Sequence, residues 1–300
     1  MMRRRNKLPL GTRVPILTML VEGSSLRRIS RVCDVPINTV TKFLVDAGRV
    51  CAVFHDEKVR NVKARRVQVN EIWSFTYAKQ KNVAKAKAAP AEAGDNWTWT
   101  AIDVDTNLII SWLVGGRDGD YAMGLMDDLL SRLANRVQLT SDGDKGYLEA
   151  VEGASGGDID YAMLVRLFGP PAHSSKGCYS PAECTGIRKT RIEGNPDPKH
   201  VSTSYAERHN LNMRMQMRGF TRLTTGYSKN IQNHAHMVAL YTLWYNWIRT
   251  HKAHRVTPAM AAGLTDKPMD LVDVTRLIDD VEMRLTIQQR VAALALPPSN

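Results

Sequence analysis

The sequence predicts an α/β protein in two parts, an all-helical head followed by a larger body whose mixed sheet is flanked by helices. Three observations predict it. Hydrophobic residues make up 43% and charged residues 24% of 300, ordinary globular proportions in a chain long enough for two domains. Apolar spacing is helical through the first 57 residues and alternates from residue 67. The net charge of +11 is unevenly spread. Residues 1–68 hold 15 Lys and Arg against 5 Asp and Glu, while residues 69–300 are nearly balanced at 26 against 25. This composition excludes wholesale disorder and points to a polyanionic partner, nucleic acid ahead of an anionic membrane surface. No apolar run reaches the ~20 residues of a membrane span. The basic start Met1–Lys7 leads into no apolar segment, so no secretory signal is expected. Four cysteines make no disulfide framework, which suits a reducing cytoplasm.

The head reads as three helices. Thr12 is placed to cap the first, which runs to about Glu22, with Pro15 in its first turn and Gly23 at its end. Ser24 or Ser25 caps a short second helix through Cys33, with Leu26, Ile29 and Val32 on one face. Asp34-Val35-Pro36 turns the chain into a third helix that keeps Val40, Leu44 and Ala47 inward. Asn38, Thr39 and Lys42 then face outward near its start. This is a helix-turn-helix arrangement, expected over 1–57, with Arg27, Arg28 and Arg31 as further DNA contacts. Asn pairs with adenine, Thr packs on a thymine methyl, and Lys reaches guanine or phosphate. Residues 58–66 form a basic linker in which Lys63, Arg65 and Arg66 are candidates for phosphate contact.

The body, expected over 67–264, opens with an alternating strand at 67–75. The Lys-, Ala-, Pro- and Gly-rich stretch 79–96 reads as an insertion loop. Strands follow at 97–105 and 107–115, a helix at 118–133, and a short strand at 137–142 that ends on Asp142 before Gly143. Three strands in meander, then a helix and a strand, describe the first half of a ribonuclease-H-like domain. Residues 158–168 read as a strand or helix, and 169–200 as a Gly/Pro/Ser-rich loop. A helix from about Thr203 sets Glu207, Asn210, Arg214 and Arg218 at i, i+3, i+7 and i+11, a carboxylate followed by a basic ridge that Arg222 extends. Residues 230–251 form a further helix with Leu240, Leu243, Trp244 and Trp247 inward; 257–264 is a small-residue turn, and 265–300 a helical tail. Cys178, Cys184 and His173 raise zinc, but the cysteine spacing is too wide for a paired site and no fourth ligand is evident.

Four strings occur in order along the body: Asn70-Glu71-Ile72-Trp73, Thr140-Ser141-Asp142-Gly143, Glu207-Arg208-His209-Asn210-Leu211 and Thr257-Pro258-Ala259-Met260. Together they resemble the insertion-sequence-one family of DDE transposases, prokaryotic enzymes that also carry a helix-turn-helix head. The resemblance implies a ribonuclease-H-like catalytic domain that binds terminal inverted repeats and cleaves and transfers strands. It implies three carboxylates holding two Mg²⁺ or Mn²⁺ ions, which activate the attacking oxygen and stabilise the leaving one. It further implies double-stranded DNA as partner, no membrane, a homo-oligomer of at least two chains, and a cytoplasmic, nucleoid-associated location. Carried over by position, Asp142 is the second carboxylate and Glu207 the third. Arg208, Arg214, Arg218 and Arg222 hold phosphates, while His209 and Asn210 support the site.

The first position departs from the pattern. Asn70 stands where the family has Asp, and a neutral amide cannot bridge two cations as a carboxylate does. Strand alternation turns Glu71 to the opposite face, leaving Asp103, or less readily Asp105, as a substitute on the neighbouring strand. The expectation is therefore a transposase that is catalytically silent as written. Two alternatives share these residues: a domesticated transposase acting as a helix-turn-helix regulator, and a ribonuclease-H-type nuclease.

Overall fold

The structure is a computed structural model and describes residues 8–169, 184–220 and 226–294. The chain forms two compact units, one of residues 1–58, 75–94 and 213–300, the other of residues 59–74 and 95–212.

In the first unit, α1 (Leu10–Val21), α2 (Leu26–Val32) and α3 (Ile37–Lys58) form the head helices. Thr12 lies inside α1 rather than capping it. Pro9, in an extended conformation, precedes the helix instead. Ser25 does cap α2, its Oγ accepting from the Arg28 N–H at 3.2 Å. The apolar stripe of α3 (Val40, Leu44, Ala47) is buried as its spacing predicts. Within the unit α3 packs on α8 (Ile231–Leu243) and α10 (Leu271–Leu294). Gly48 makes the α3–α8 approach possible: a Cβ there would come within 2.6 Å of His236 Cα. α8 stops before His251 because a π-helical turn at Trp244–Ile248 takes over, the Arg249 N–H bonding the Trp244 carbonyl at 2.8 Å. Thr257 caps the short α9 (Pro258–Ala261) where a turn was expected. The stretch expected as an insertion loop carries the single-turn α4 (Gln80–Val83) and gives way to strand at Gly94.

The second unit is built on a six-stranded sheet in the order β3-β2-β1-β4-β5-β6. The strands are β1 (Arg66–Thr76), β2 (Gly94–Asp103), β3 (Ile109–Gly115), β4 (Gln138–Ser141), β5 (Asp160–Phe168) and β6 (Cys184–Glu193). β2 and β3 are antiparallel, β4 runs parallel to both β1 and β5, and β6 returns antiparallel to β5. α5 (Gly119–Arg132), capped by Asp118, packs on β3 and on α6 (Gly146–Ser155), burying Leu125, Met126 and Leu129. Ala162 and Leu164 of β5 form an apolar cluster with Val201, just ahead of α7 (Ser204–Gln216).

Two expectations fail here for physical reasons. The stretch 169–200, read as loop, contains β6. Nearly every residue of that edge strand is exposed, so it carries no buried alternation to read. α7 ends at Gln216, and Arg218 lies in a separate 3₁₀ turn, Arg218–Phe220, so the ridge does not continue along one helix. Gly219 sits so close to its neighbours that a Cβ would meet Ser228 Oγ at 2.8 Å and His234 Nδ1 at 2.9 Å.

Candidate functional site

The chemistry expected of the body gathers in the second unit, where β1 and β4 run side by side. Gln68 is level with Thr140 in their parallel pairing. Two residues further along each chain come Asn70 and Asp142, which alternation assigns to the same face as that pair. Gln68 marks the face: its Oε1 accepts the backbone N–H groups of Tyr205 (2.9 Å) and Ala206 (3.1 Å) at the start of α7. Glu207 projects from the same first turn. Alternation thus assigns Asn70 and Asp142 to the side of the sheet where α7, the helix that carries Glu207, begins. The charge of Glu207 is one of the influences that raise the Asp142 pKa, after burial, the largest.

Each of these groups already has a partner. The Asn70 Oδ1 accepts the Glu71 N–H at 2.7 Å. One Asp142 oxygen accepts the Asp144 N–H at 3.1 Å. Glu207 accepts from Thr203 Oγ1 at 2.7 Å and is held by the Arg166 guanidinium, which reaches both carboxylate oxygens from β5.

Glu71 faces the other way. Its side chain, 4% exposed, accepts from the Tyr147 hydroxyl of α6 at 3.2 Å and from Arg117 at 2.8 Å. The same Arg117 nitrogen lies 2.7 Å from Asp144 Oδ2. Burial raises the Glu71 pKa, the charge of Asp142 adds to the rise, and Arg117 opposes it. Tyr147, T-stacked on Trp99 at 5.5 Å, closes the inner side. Glu71 and Asp142 thus leave β1 and β4 on different faces yet feel each other's charge.

Asp103 belongs to a different place. The N–H of the next residue, Val104, bonds the Arg66 carbonyl at the start of β1, four residues before Asn70. Its carboxylate accepts the Asp105 and Thr106 N–H groups, both at 3.2 Å, and the Thr106 hydroxyl at 2.5 Å. Burial raises its pKa against those hydrogen bonds. Asp105 pairs with Arg66, whose guanidinium also meets His200 Nδ1 at 2.9 Å. Arg66 is therefore committed within the fold.

The other expected DNA contacts are placed as follows. Arg27, Arg28, Arg31 and Asn38 are exposed, Thr39 is half-buried, and the exposed Lys42 pairs with Asp46. Lys63, Arg65, Arg208, Arg214 and Arg218 are exposed. His209 and Asn210 are buried on α7, Asn210 reaching the Glu71 carbonyl at 3.5 Å. Arg222, Cys178 and His173 lie outside the described residues; Cys184 is exposed on β6.

Two divalent cations would need carboxylate oxygens free to take them. Here one position is an amide, Glu207 is clasped by Arg166, and Arg117 bridges Glu71 and Asp144. Among the described residues no three His, Cys, Asp or Glu side chains stand together so as to hold a metal ion. As arranged, these residues do not fit a metal pair. Sequence reasoning missed Arg117, Asp144, Tyr147 and Arg166. Only Asp144 carried a signal, as the second carboxylate of Asp142-Gly143-Asp144.

No known family's sequence profile matches the chain, and neither does any curated protein. Among solved structures it is similar to the Mos1 transposase paired-end complex with left transposon end, at 13% identity and a TM-score of 0.24, over 54% of this chain and 61% of that one. It is similar to a Mos1 mariner paired-end complex with Mn, at 14% identity and 0.22, over 52% and 60%. A third is the piggyBac transposase synaptic complex with hairpin DNA, at 10% identity and 0.38, over 99% and 77%. The chain spans about three-fifths of these two Mos1 chains. Superpositions this loose define neither a family nor an activity. Among the described residues no helix is long and apolar enough to cross a membrane.

Proposed function

We propose that the chain is a transposase-type DNA-binding protein of the ribonuclease-H-like class that holds DNA without cutting it. The reading is supported by one arrangement: alternation assigns the neutral amide of Asn70 to the face of β1 on which Gln68 meets the start of α7, the helix that carries Glu207. The strand order β3-β2-β1-β4-β5 is the one such a domain uses, with Asn70 on β1, Asp142 just past β4 and Glu207 on a helix as its three positions. The exposed α2 and the outer face of α3 present Arg27, Arg28, Arg31, Asn38 and Lys42 to duplex DNA as a helix-turn-helix. Phosphate contacts there supply affinity that falls steeply with salt. Two copies holding two ends, in a cytoplasmic setting, complete the reading. The regulator alternative shares the non-cutting site and differs only in its target, a promoter rather than element ends.

Nicking of supercoiled plasmid tests it. The chain as it stands is expected to leave plasmid intact in Mg²⁺ or Mn²⁺ while retaining duplex DNA at low salt. Asn70→Asp combined with Arg166→Ala, which releases Glu207, is expected to gain metal-dependent nicking by at least about a hundredfold, the scale on which electrostatic stabilisation of a transition state is felt. Nicking by the unaltered chain at the rate of that double variant overturns the reading.

A further inference from the structure

The first unit contains a cavity of about 610 Å³, of whose lining the proposed function uses only Arg27. Its floor is apolar, with Leu20 and Leu44 buried and Ile37 38% exposed at the mouth. Among the described residues three cations line it, Arg27 from α2, Arg218 from the 3₁₀ turn and Lys229 from the segment leading into α8, and no acidic side chain does. No carboxylate among the described residues pairs with any of the three. The Lys229 ammonium is held 3.5 Å from the centroid of the Tyr227 ring, which rests on Phe75 at 4.6 Å between centroids. Tyr227 is thereby a fixed wall, and Lys229 a positioned cation rather than a freely waving one. Deeper in, Ser228 Oγ and His234 Nδ1 stand 3.0 Å apart, and Asn233 adds an amide.

We propose that this cavity binds a nucleotide, its phosphate at Arg27, Arg218 and Lys229 and its base over the apolar floor. The volume lies within the range of small-molecule sites, and an inorganic anion would leave most of it and the whole apolar floor unused. An alkyl phosphate would match the cations and floor but leave Asn233, Ser228 and His234 facing hydrocarbon. A purine or pyrimidine offers ring nitrogens and exocyclic groups to them. The cations bind phosphate by charge-assisted hydrogen bonds in a region with no competing carboxylate. The nucleotide is either free or one residue of a DNA strand that has left its stack. The chemistry is the same, and the assignment stands apart from the second unit and its carboxylates.

Calorimetric titration of the full chain tests it with dAMP, deoxyadenosine, inorganic phosphate and a six-nucleotide oligo-dA. With a free nucleotide as occupant, dAMP binds, while deoxyadenosine and phosphate bind at least about tenfold more weakly, as loss of one charge-assisted contact implies. With a strand as occupant, the hexanucleotide binds and dAMP does not. In either case Lys229→Met weakens binding by about tenfold or more, and Met237→Trp, which fills the cavity, removes it. Lys229 is exposed, so its substitution leaves the fold intact; if Met237→Trp melts early, Lys229→Met decides alone. Three results overturn the proposal: phosphate binding as tightly as dAMP and the hexanucleotide, binding that Lys229→Met does not weaken, or no binding by dAMP and the hexanucleotide. Retention of duplex DNA, measured in parallel, bears on the proposed function and not on the cavity.

Discussion

The carboxylate cluster of the second unit and the cavity of the first carry opposite charges, and the fold treats them in opposite ways. Around Glu71, Asp144 and Glu207 the protein supplies its own cations, Arg117 and Arg166, each within hydrogen-bonding reach. Around Arg27, Arg218 and Lys229 the described residues supply no anion from the cavity wall. A charge satisfied from within is part of the structure and is costly to disturb. A charge left unmatched is open to an outside partner. In this chain the side able to accept a cation is closed by arginines, and the side able to accept an anion stays open. That contrast is the one the proposed function requires of the two regions.

The cavity also holds a buried imidazole, His234, and it provides the largest expected effect. Burial lowers the His234 pKa from its ordinary value to about 4. The unfolded chain, titrating near 6.5, binds more protons than the folded one between those values. Stability from this group is therefore complete above about pH 6.5 and is lost as pH falls toward 4, by on the order of 3 kcal/mol. Denaturant melts of the chain and of His234→Gln, compared from pH 7 to about pH 4, are expected to show a steeper acid loss in the unaltered chain. Equal slopes would mean that His234 is not the buried neutral group at the back of the cavity.

Arg117 tests the cluster. Replacing it with Met leaves Glu71 buried beside Asp142 and Asp144 without its cation. Removing one partner of a fully buried pair costs about 3–5 kcal/mol. Arg117 itself is 44% exposed, so solvent screening reduces the expectation to about 2 kcal/mol. The sign with pH is fixed by the carboxylate. Without Arg117 the Glu71 pKa rises further in the folded state, so the penalty is full at neutral pH. It fades as pH falls through the raised folded-state value and is gone near the unfolded value, about 4.3, where Glu71 is protonated in the folded state with or without Arg117. A melting deficit that does not shrink at low pH would place the role of Arg117 in packing instead.

How much of this was legible in the sequence depends on how local each feature is. β1 announced itself by alternation, α2 by Ser25, α5 by Asp118 and the inner face of α3 by its spacing, all signals contained within one element. Asp142 and Glu207 were singled out only through the strings around them. The partners were not. Arg117 reaches Glu71 across 46 residues, Tyr147 reaches it across 76, and Arg166 reaches Glu207 across 41. Only the sheet order decides those meetings. β6 escaped because an exposed edge strand buries neither face. The cavity escaped because its wall combines α2, α3, the 3₁₀ turn at 218–220 and the segment before α8, none of which is unusual by itself.

Arg166 provides the smallest expected effect and the finest test of the contrast. It pairs with Glu207 as Arg117 pairs with Glu71, and the two arginines are equally exposed, but Glu207 stands 34% in solvent where Glu71 is 4% exposed. Exposed pairs are worth roughly 0.2–1 kcal/mol, since water screens the attraction and the long side chains lose freedom in making it. Arg166→Ala is therefore expected to lower stability by under about 1 kcal/mol, less than half the loss from Arg117→Met, when both are measured in one denaturant series. Salt separates the two further: added chloride is expected to erase the Arg166 difference and leave most of the Arg117 difference, because Glu71 is shielded from the screening ions and Glu207 is not. If the two substitutions cost the same and respond alike to salt, the inner and outer halves of the cluster are one network, and Glu207 is as firmly held as Glu71.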